Sequence, residues 1–210
     1  MNEHKFKCVL LGEGRVGKTS ILLRYINGTF SERQTSTFQA SYQEKVLNIG
    51  NNSVTLSIWD TAGQERFHAL APIYYRDSNA AILVFDITDK TSFSKVTHWV
   101  DELRKIVGKD IILVIAANKS DLESKRQVEN HEVNSYASSV GAQVIGTSAK
   151  SGKGVQELFL ELTKKLLAQE ASKPKNGSSR GSRSRGPKAR IEIVDDEKTK
   201  KKDDGCCIIL

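Results

Sequence analysis

Gly12-Glu13-Gly14-Arg15-Val16-Gly17-Lys18-Thr19 carries the spacing GxxxxGK[ST]. Just before it, residues 6–11 form an apolar run of strand character, and just after it 18–27 has helical spacing. Glycines here let the backbone wrap a phosphate chain with its N–H groups turned inward. In that frame the Lys18 ammonium bridges the β- and γ-phosphates, and the Thr19 hydroxyl is a ligand for Mg²⁺. Gly12, Gly14, Val16, Gly17 and Ser20 complete the loop's candidate nucleotide contacts. The strand–turn–helix setting distinguishes it from an ordinary glycine turn. By itself the loop does not choose between ATP and GTP.

Outward from the loop, strand and helix patterns alternate to about residue 169. Residues 42–49 and 54–59 read as a hairpin pair, because Gly50-Asn51-Asn52 supplies turn residues. Runs 80–85, 111–116 and 143–147 are further short apolar strands. Phe93, Val96, Val100, Leu103 and Val107 recur at helical spacing, as do Val155, Leu158, Leu162 and Leu166. The pattern implies an α/β fold with a six-stranded, mostly parallel sheet, one antiparallel strand and helices on both faces. Ligand sites in such sheets form at the C-terminal strand ends.

The other motifs fall at those ends. Asn118-Lys119-Ser120-Asp121 follows the run 111–117. A carboxylate at Asp121 can accept from guanine N1–H and the 2-amino group, whereas adenine would leave it unpaired. Asn118 would brace the phosphate loop, and the Lys119 stem would cover one face of the base. In Ser148-Ala149-Lys150 the Ala149 N–H would meet guanine O6, and Phe30 would stack from the other side. Asp60-Thr61-Ala62-Gly63-Gln64 follows the third strand. Here Asp60 would hold Mg²⁺ through a water, the Gly63 N–H would meet the γ-phosphate, and Gln64 would orient the attacking water. A Thr before the second strand should close over the metal. Thr37 is chosen for this ahead of its neighbours Thr35 and Ser36. The loops around 28–41 and 60–76 are then order–disorder elements released on hydrolysis.

The 210 residues are 38% hydrophobic, enough for a real core, with a net charge of +7. Residues 171–205 hold eleven Lys and Arg against six Asp and Glu, so five of those seven charges lie in a Ser/Gly/Pro-rich stretch without period. The expected domains are 1–170, a flexible basic tail over 171–205, and a lipidation motif over 206–210. A coil of that tail's length spans roughly 30–35 Å. Arg180, Arg183, Arg185, Lys188 and Arg190 lack interleaved stacking aromatics, so no nucleic-acid partner is expected. Residues 1–7 lack a signal-peptide run, and three cysteines make no disulfide framework, which points to a reducing compartment. His68 and His131 have no ligand-spaced partners. Cys207-Ile208-Ile209-Leu210 satisfies the C-a-a-X pattern, Leu favouring geranylgeranyl.

These motifs, in this order over about residues 5–169, resemble the small Ras-like GTPases, and within them the Rab branch. The Rab-like stretches are Trp59-Asp60-Thr61-Ala62-Gly63-Gln64-Glu65-Arg66-Phe67 and Tyr74-Tyr75-Arg76-Asp77. The run from Phe67 to Tyr75 resembles the early-endosomal subgroup. Phe38-Gln39-Ala40-Ser41-Tyr42 departs from the Ile-Gly-then-Phe of many Rabs, which bears on effector choice rather than nucleotide binding. The resemblance implies a P-loop NTPase G domain, GTP or GDP as ligand with Mg²⁺, and slow hydrolysis. It also implies that Tyr42, Trp59 and Tyr74 form an aromatic effector patch, with Trp59 as plain core the competing reading. Expected partners are effectors, an exchange factor, a GTPase activator and a GDP-dissociation inhibitor or escort protein. An activator would supply an Arg worth on the order of 10³–10⁵ in rate, and in many Rabs a Gln as well, which would make Gln64 less central. Gly14, with no side chain, leaves room for those groups. The ending Cys206-Cys207 implies double prenylation, so a monomer cycling between cytosol and the cytoplasmic side of endosomal membranes is expected. Lys198, Lys200, Lys201 and Lys202 would meet anionic headgroups, partly offset by Asp203 and Asp204. The alternative is a GTP-binding scaffold with little hydrolysis.

Overall fold

A computed structural model describes residues 2–63 and 71–173. Strand β1 (Asn2–Leu11) leads into helix α1 (Lys18–Asn27), followed by β2 (Ser41–Ile49) and β3 (Asn52–Asp60). Next come α2 (Ala71–Tyr75), β4 (Ala80–Asp86), α3 (Lys90–Ile106) and β5 (Ile112–Asn118). A 3-10 turn over Ser120–Lys125, α4 (Asn130–Ser139), β6 (Gln143–Gly146) and α5 (Val155–Ser172) complete the order. The sheet runs β2-β3-β1-β4-β5-β6. Among the described residues only the β2–β3 pairing is antiparallel. Its hairpin closes at Ile49↔Asn52, so the turn is Gly50-Asn51 and Asn52 already belongs to the strand. Gly50 has φ 57°, a backbone that glycine adopts without a Cβ clash.

Alternation along each strand sends successive side chains to opposite faces, and both faces are covered. On one face Cys8, Leu10, Ile82 and Val84 pack with Tyr25 of α1 and Phe159 of α5. On the other, Val9, Leu11, Leu83 and Phe85 pack with Tyr75 of α2, Trp99 and Val100 of α3, and Val133 of α4. Every residue of β4 is therefore buried.

Strand β1 starts four residues earlier than its apolar run, because Asn2 to Leu10 pair in register with Asn52 to Asp60 and backbone pairing extends beyond the core. Helices α2 and α4 lie outside the sequence reading. Helix α4 buries only Val133 and Ala137, a stripe too narrow to stand out as a period. Helix α5 runs to Ser172, two residues past the expected boundary at 170. None of the helices among the described residues is long and apolar enough to cross a membrane.

Cys8 is fully buried in β1, and burial pushes its thiol up to about 12. With Cys206 and Cys207 changed to Ser, Ellman's reagent is expected to label no thiol at pH 8 in the native protein and one in guanidinium. Native labelling would mean that the central strand opens.

Candidate functional site

The ends of β1, β3, β5 and β6 and the loop before β2 border one cleft of about 560 Å³. It is lined at one end by Gly14, Lys18 and Thr19 and at the other by Lys119, Asp121 and Ala149. Gly17, Ser20, Phe30, Thr37, Gly63, Asn118 and Lys150 also line it. The loop at 12–19 and the acid at 121, a hundred residues apart in sequence, thus border the same space.

At the loop, β1 ends and Gly17 caps α1 with φ 99° and no side-chain cap, so the first-turn N–H groups face the cleft free of a capping oxygen. A Cβ on Gly17 would lie 2.4 Å from Asn118 Nδ2. The Lys18 ammonium is buried and donates to the carbonyls of Gly12 at 2.7 Å and Glu13 at 3.0 Å. Burial lowers its pKa to about 8 against the upward pull of Asp60 and Glu13. A desolvated cation beside uncapped helix N–H groups is a strong anion site. Gly63 sits hard against it, since a Cβ there would fall 2.2 Å from Lys18 Nζ. Gly12 and Val16 do not line the cleft. Gly12 backs onto the Val84 carbonyl, and the Val16 side chain is part of the core.

Beside Lys18, three oxygens gather. Thr19 Oγ1 donates to Asp60 Oδ2 at 2.6 Å and lies 2.8 Å from Thr37 Oγ1. Thr37, rather than the exposed Thr35 or Ser36, is the hydroxyl that reaches Thr19. Asp60 is fully buried at the end of β3, and burial raises its pKa although Thr19 and Lys18 lower it. Its Oδ1 has no hydrogen-bond partner among the described residues. Two hydroxyls and a buried carboxylate with an orphaned oxygen fit a hard divalent cation that keeps waters and phosphate oxygens as its other ligands. Thr61 fastens this segment by donating to the Leu10 carbonyl at 2.7 Å. Gln64 lies outside the described residues, as do Phe67 and His68.

At the other end, Ser148 Oγ donates to Asp121 Oδ1 at 2.6 Å and orients the carboxylate. Asp121 is itself exposed to the cleft. Asn118 is buried and ties three segments: Nδ2 donates to the Val16 carbonyl at 2.8 Å, and Oδ1 accepts from Thr147 Oγ1 at 3.2 Å and Ala149 N at 3.3 Å. The Ala149 N–H is therefore already engaged, by a bond long enough to be shared with a second acceptor. Lys119, with φ 64°, pairs through Nζ with Asp86 Oδ2 at 2.6 Å, which leaves its stem along the cleft. Asp86 is pushed up by burial, yet Lys119 and Thr88 outweigh this and hold it below its ordinary value. Asp86 was not singled out in the sequence, although a carboxylate closing an apolar strand run is the signal that marks Asp60. Ser31, Glu32 and Leu122 also line the cleft. Their only sequence signal is adjacency to Phe30 and Asp121.

Away from the cleft, the rings of Tyr42 and Trp59 lie 5.2 Å apart and those of Trp59 and Tyr74 5.9 Å apart. Tyr42 is exposed, Tyr74 half-buried, and Trp59 packs partly into the second core. Cys206 and Cys207 lie outside the described residues. Among the described residues, no three His, Cys, Asp or Glu side chains cluster as a metal site.

A mostly parallel sheet whose strand ends bring a GxxxxGK[ST] loop and the acid of Asn118-Lys119-Ser120-Asp121 to one cleft defines a nucleotide-binding domain of the P-loop class. The family model described as "Ras family" matches residues 7–168. The chain is 55% identical to the Ras-related protein Rab-21 of Homo sapiens, with 97% of this chain and 91% of the relative covered. It is 53% identical to that of Mus musculus, covering 97% and 92%, and 47% identical to that of Dictyostelium discoideum, covering 98% and 97%. The chain belongs to the Ras family, in its Rab branch. It is accordingly a small GTPase, a GTP-hydrolysing switch of membrane trafficking that binds GTP and GDP and works with regulators and effectors.

Proposed function

We propose that the switch is Mg²⁺-dependent and slow on its own, and that it recruits effectors to early endosomal membranes from the cytoplasmic side. The observation that carries this reading is the single cleft shared by Lys18, Thr19, Thr37, Asp60's loop and Asp121. Thr19 and Thr37 would hold Mg²⁺ directly and Asp60 through a water. When bound, the ion supplies charge neutralisation on the β- and γ-phosphate oxygens. Lys18 and the α1 N–H groups bind those phosphates, Gly63 N–H meets the γ-phosphate, and Gln64 orients the attacking water. Thr37 loses its reason to close when the γ-phosphate leaves, which supports switching in the 28–41 loop. The Tyr42, Trp59 and Tyr74 rings form the effector patch, exposed aromatics beside a switching loop being suited to a partner surface. The tail over 171–205 tethers a monomeric domain to lipids on Cys206 and Cys207, two chains being what stable anchoring takes. An exchange factor, an activator and a GDP-dissociation inhibitor or escort protein would drive the cycle between membrane and cytosol.

Purified protein is expected to retain GDP or GTP, and ATP should not compete with labelled GDP. In single-turnover assays without activator, Gln64→Leu should hydrolyse bound GTP about tenfold or more slowly than the wild type. Mass spectrometry of the C-terminal peptide from eukaryotic cells should find two geranylgeranyl groups. Guanine nucleotide retained with no phosphate release, even with a matching activator, would favour the scaffold reading instead.

A further inference from the structure

Arg24 stands in the last turn of α1, outside the lining of the cleft, and no motif points to it. Its guanidinium nevertheless serves three backbone carbonyls. Nε donates to Ala149 O at 2.8 Å, one terminal nitrogen to Lys150 O at 2.7 Å, and the other to Gly28 O at 2.6 Å. The same group lies 6.0 Å from the centre of the Phe30 ring. Gly28, with φ 69°, ends α1 and turns the chain toward Phe30. One planar cation thus joins the two segments that face each other across the base end of the cleft, the 28–30 turn and the 149–150 loop.

We infer that Arg24 is a positioning residue for the guanine end of the site, setting how long a nucleotide stays bound. This rests on the reading of Asp121, Ala149 and Phe30 as the base pocket. Three carbonyls in divergent directions suit a guanidinium, whose five donors are fixed in a planar fork. A lysine ammonium at the same place keeps the charge but cannot span all three. The 149–150 carbonyls face Arg24 rather than a neighbouring strand, because β6 already ends at Gly146. Without the guanidinium the loop bearing Ala149 would keep its tie to Asn118 but lose its outer support, and Phe30 would lose the cation beside its ring.

The test uses full-length protein loaded with fluorescent mant-GDP and chased with excess GDP at fixed Mg²⁺. Arg24→Ala is expected to release the label roughly 10- to 50-fold faster, as for loss of one charge-assisted hydrogen bond or slightly more. Arg24→Lys should be intermediate, and it decides the matter if the alanine variant does not fold. The hydrolysis rate constant of bound GTP and the Mg²⁺ concentration that slows release should stay within about twofold of wild type. Helix α1 also carries Lys18 and Thr19, so a general loosening of the helix would move those two quantities as well. Release within about twofold of wild type, or a joint change in release, Mg²⁺ dependence and hydrolysis, would overturn the assignment. A wild-type protein that holds no mant-GDP at all would instead sink the base-pocket reading, and this proposal with it.

Discussion

Asp121→Asn is expected to transfer the nucleotide preference from guanine to xanthine, with GDP affinity lowered by on the order of 10²–10⁴. Guanine offers two adjacent donors, N1–H and the 2-amino group, and a carboxylate offers two acceptors. Asparagine replaces one acceptor with an NH₂ donor, which then opposes a donor on the base. Xanthine carries an oxygen where guanine has the amino group, so the same NH₂ finds an acceptor. Ser148 Oγ, 2.6 Å from Oδ1, can still donate to the oxygen of the new side chain and so fixes which end is amide nitrogen. Competition of XDP and GDP against labelled GDP, wild type against variant, measures the exchange. Unchanged preference would remove Asp121 from the base pocket.

The largest effect on stability is expected from Asn118→Ala. The side chain is 1% exposed and makes three hydrogen bonds, to Val16 O, Thr147 Oγ1 and Ala149 N. Truncation leaves these partners unpaired in a dry setting, at about 1–3 kcal/mol each. The Thr147 hydroxyl can turn elsewhere, so a total of about 3–5 kcal/mol is expected, a fall of about 10 °C in the melting temperature of the nucleotide-free protein. Function should suffer beyond this. The Val16 carbonyl precedes Gly17 of the 12–19 loop, while Ala149 lies at the other end of the cleft, so one side chain ties the two ends together. The rise in melting temperature on adding excess Mg²⁺ and GDP should therefore be smaller for the variant than for the wild type. An equal rise in both proteins would show that Asn118 matters to the fold alone.

The loop at 12–19, Asp121 and Thr19 are contiguous in sequence or tied to strand ends, and local periodicity suffices to place them. Gly12 to Thr19 and Asn118 to Asp121 each follow an apolar run, and the order of runs implies a parallel sheet with its ends on one side. The polar first four residues of β1 are held by backbone pairing with β3, and α4 by two buried side chains, so neither carries a pattern to read. The Gly50-Asn51 turn is shorter by one residue than its composition implies, because register is a property of two strands together.

Composition and motif order determined the fold class and set the loop at 12–19 and Asp121 at strand ends, since both depend on residue type and short-range spacing. Tertiary structure decided that Thr37 and not Thr35 or Ser36 reaches Thr19, that Asp121 is exposed, and that Ala149 already donates to Asn118. It also decided that Arg24 binds across 125 residues to the Ala149 carbonyl. A hydrogen bond depends on direction and on a tenth of an ångström in distance. Those quantities exist only once both cores have packed and the strand ends have been brought together.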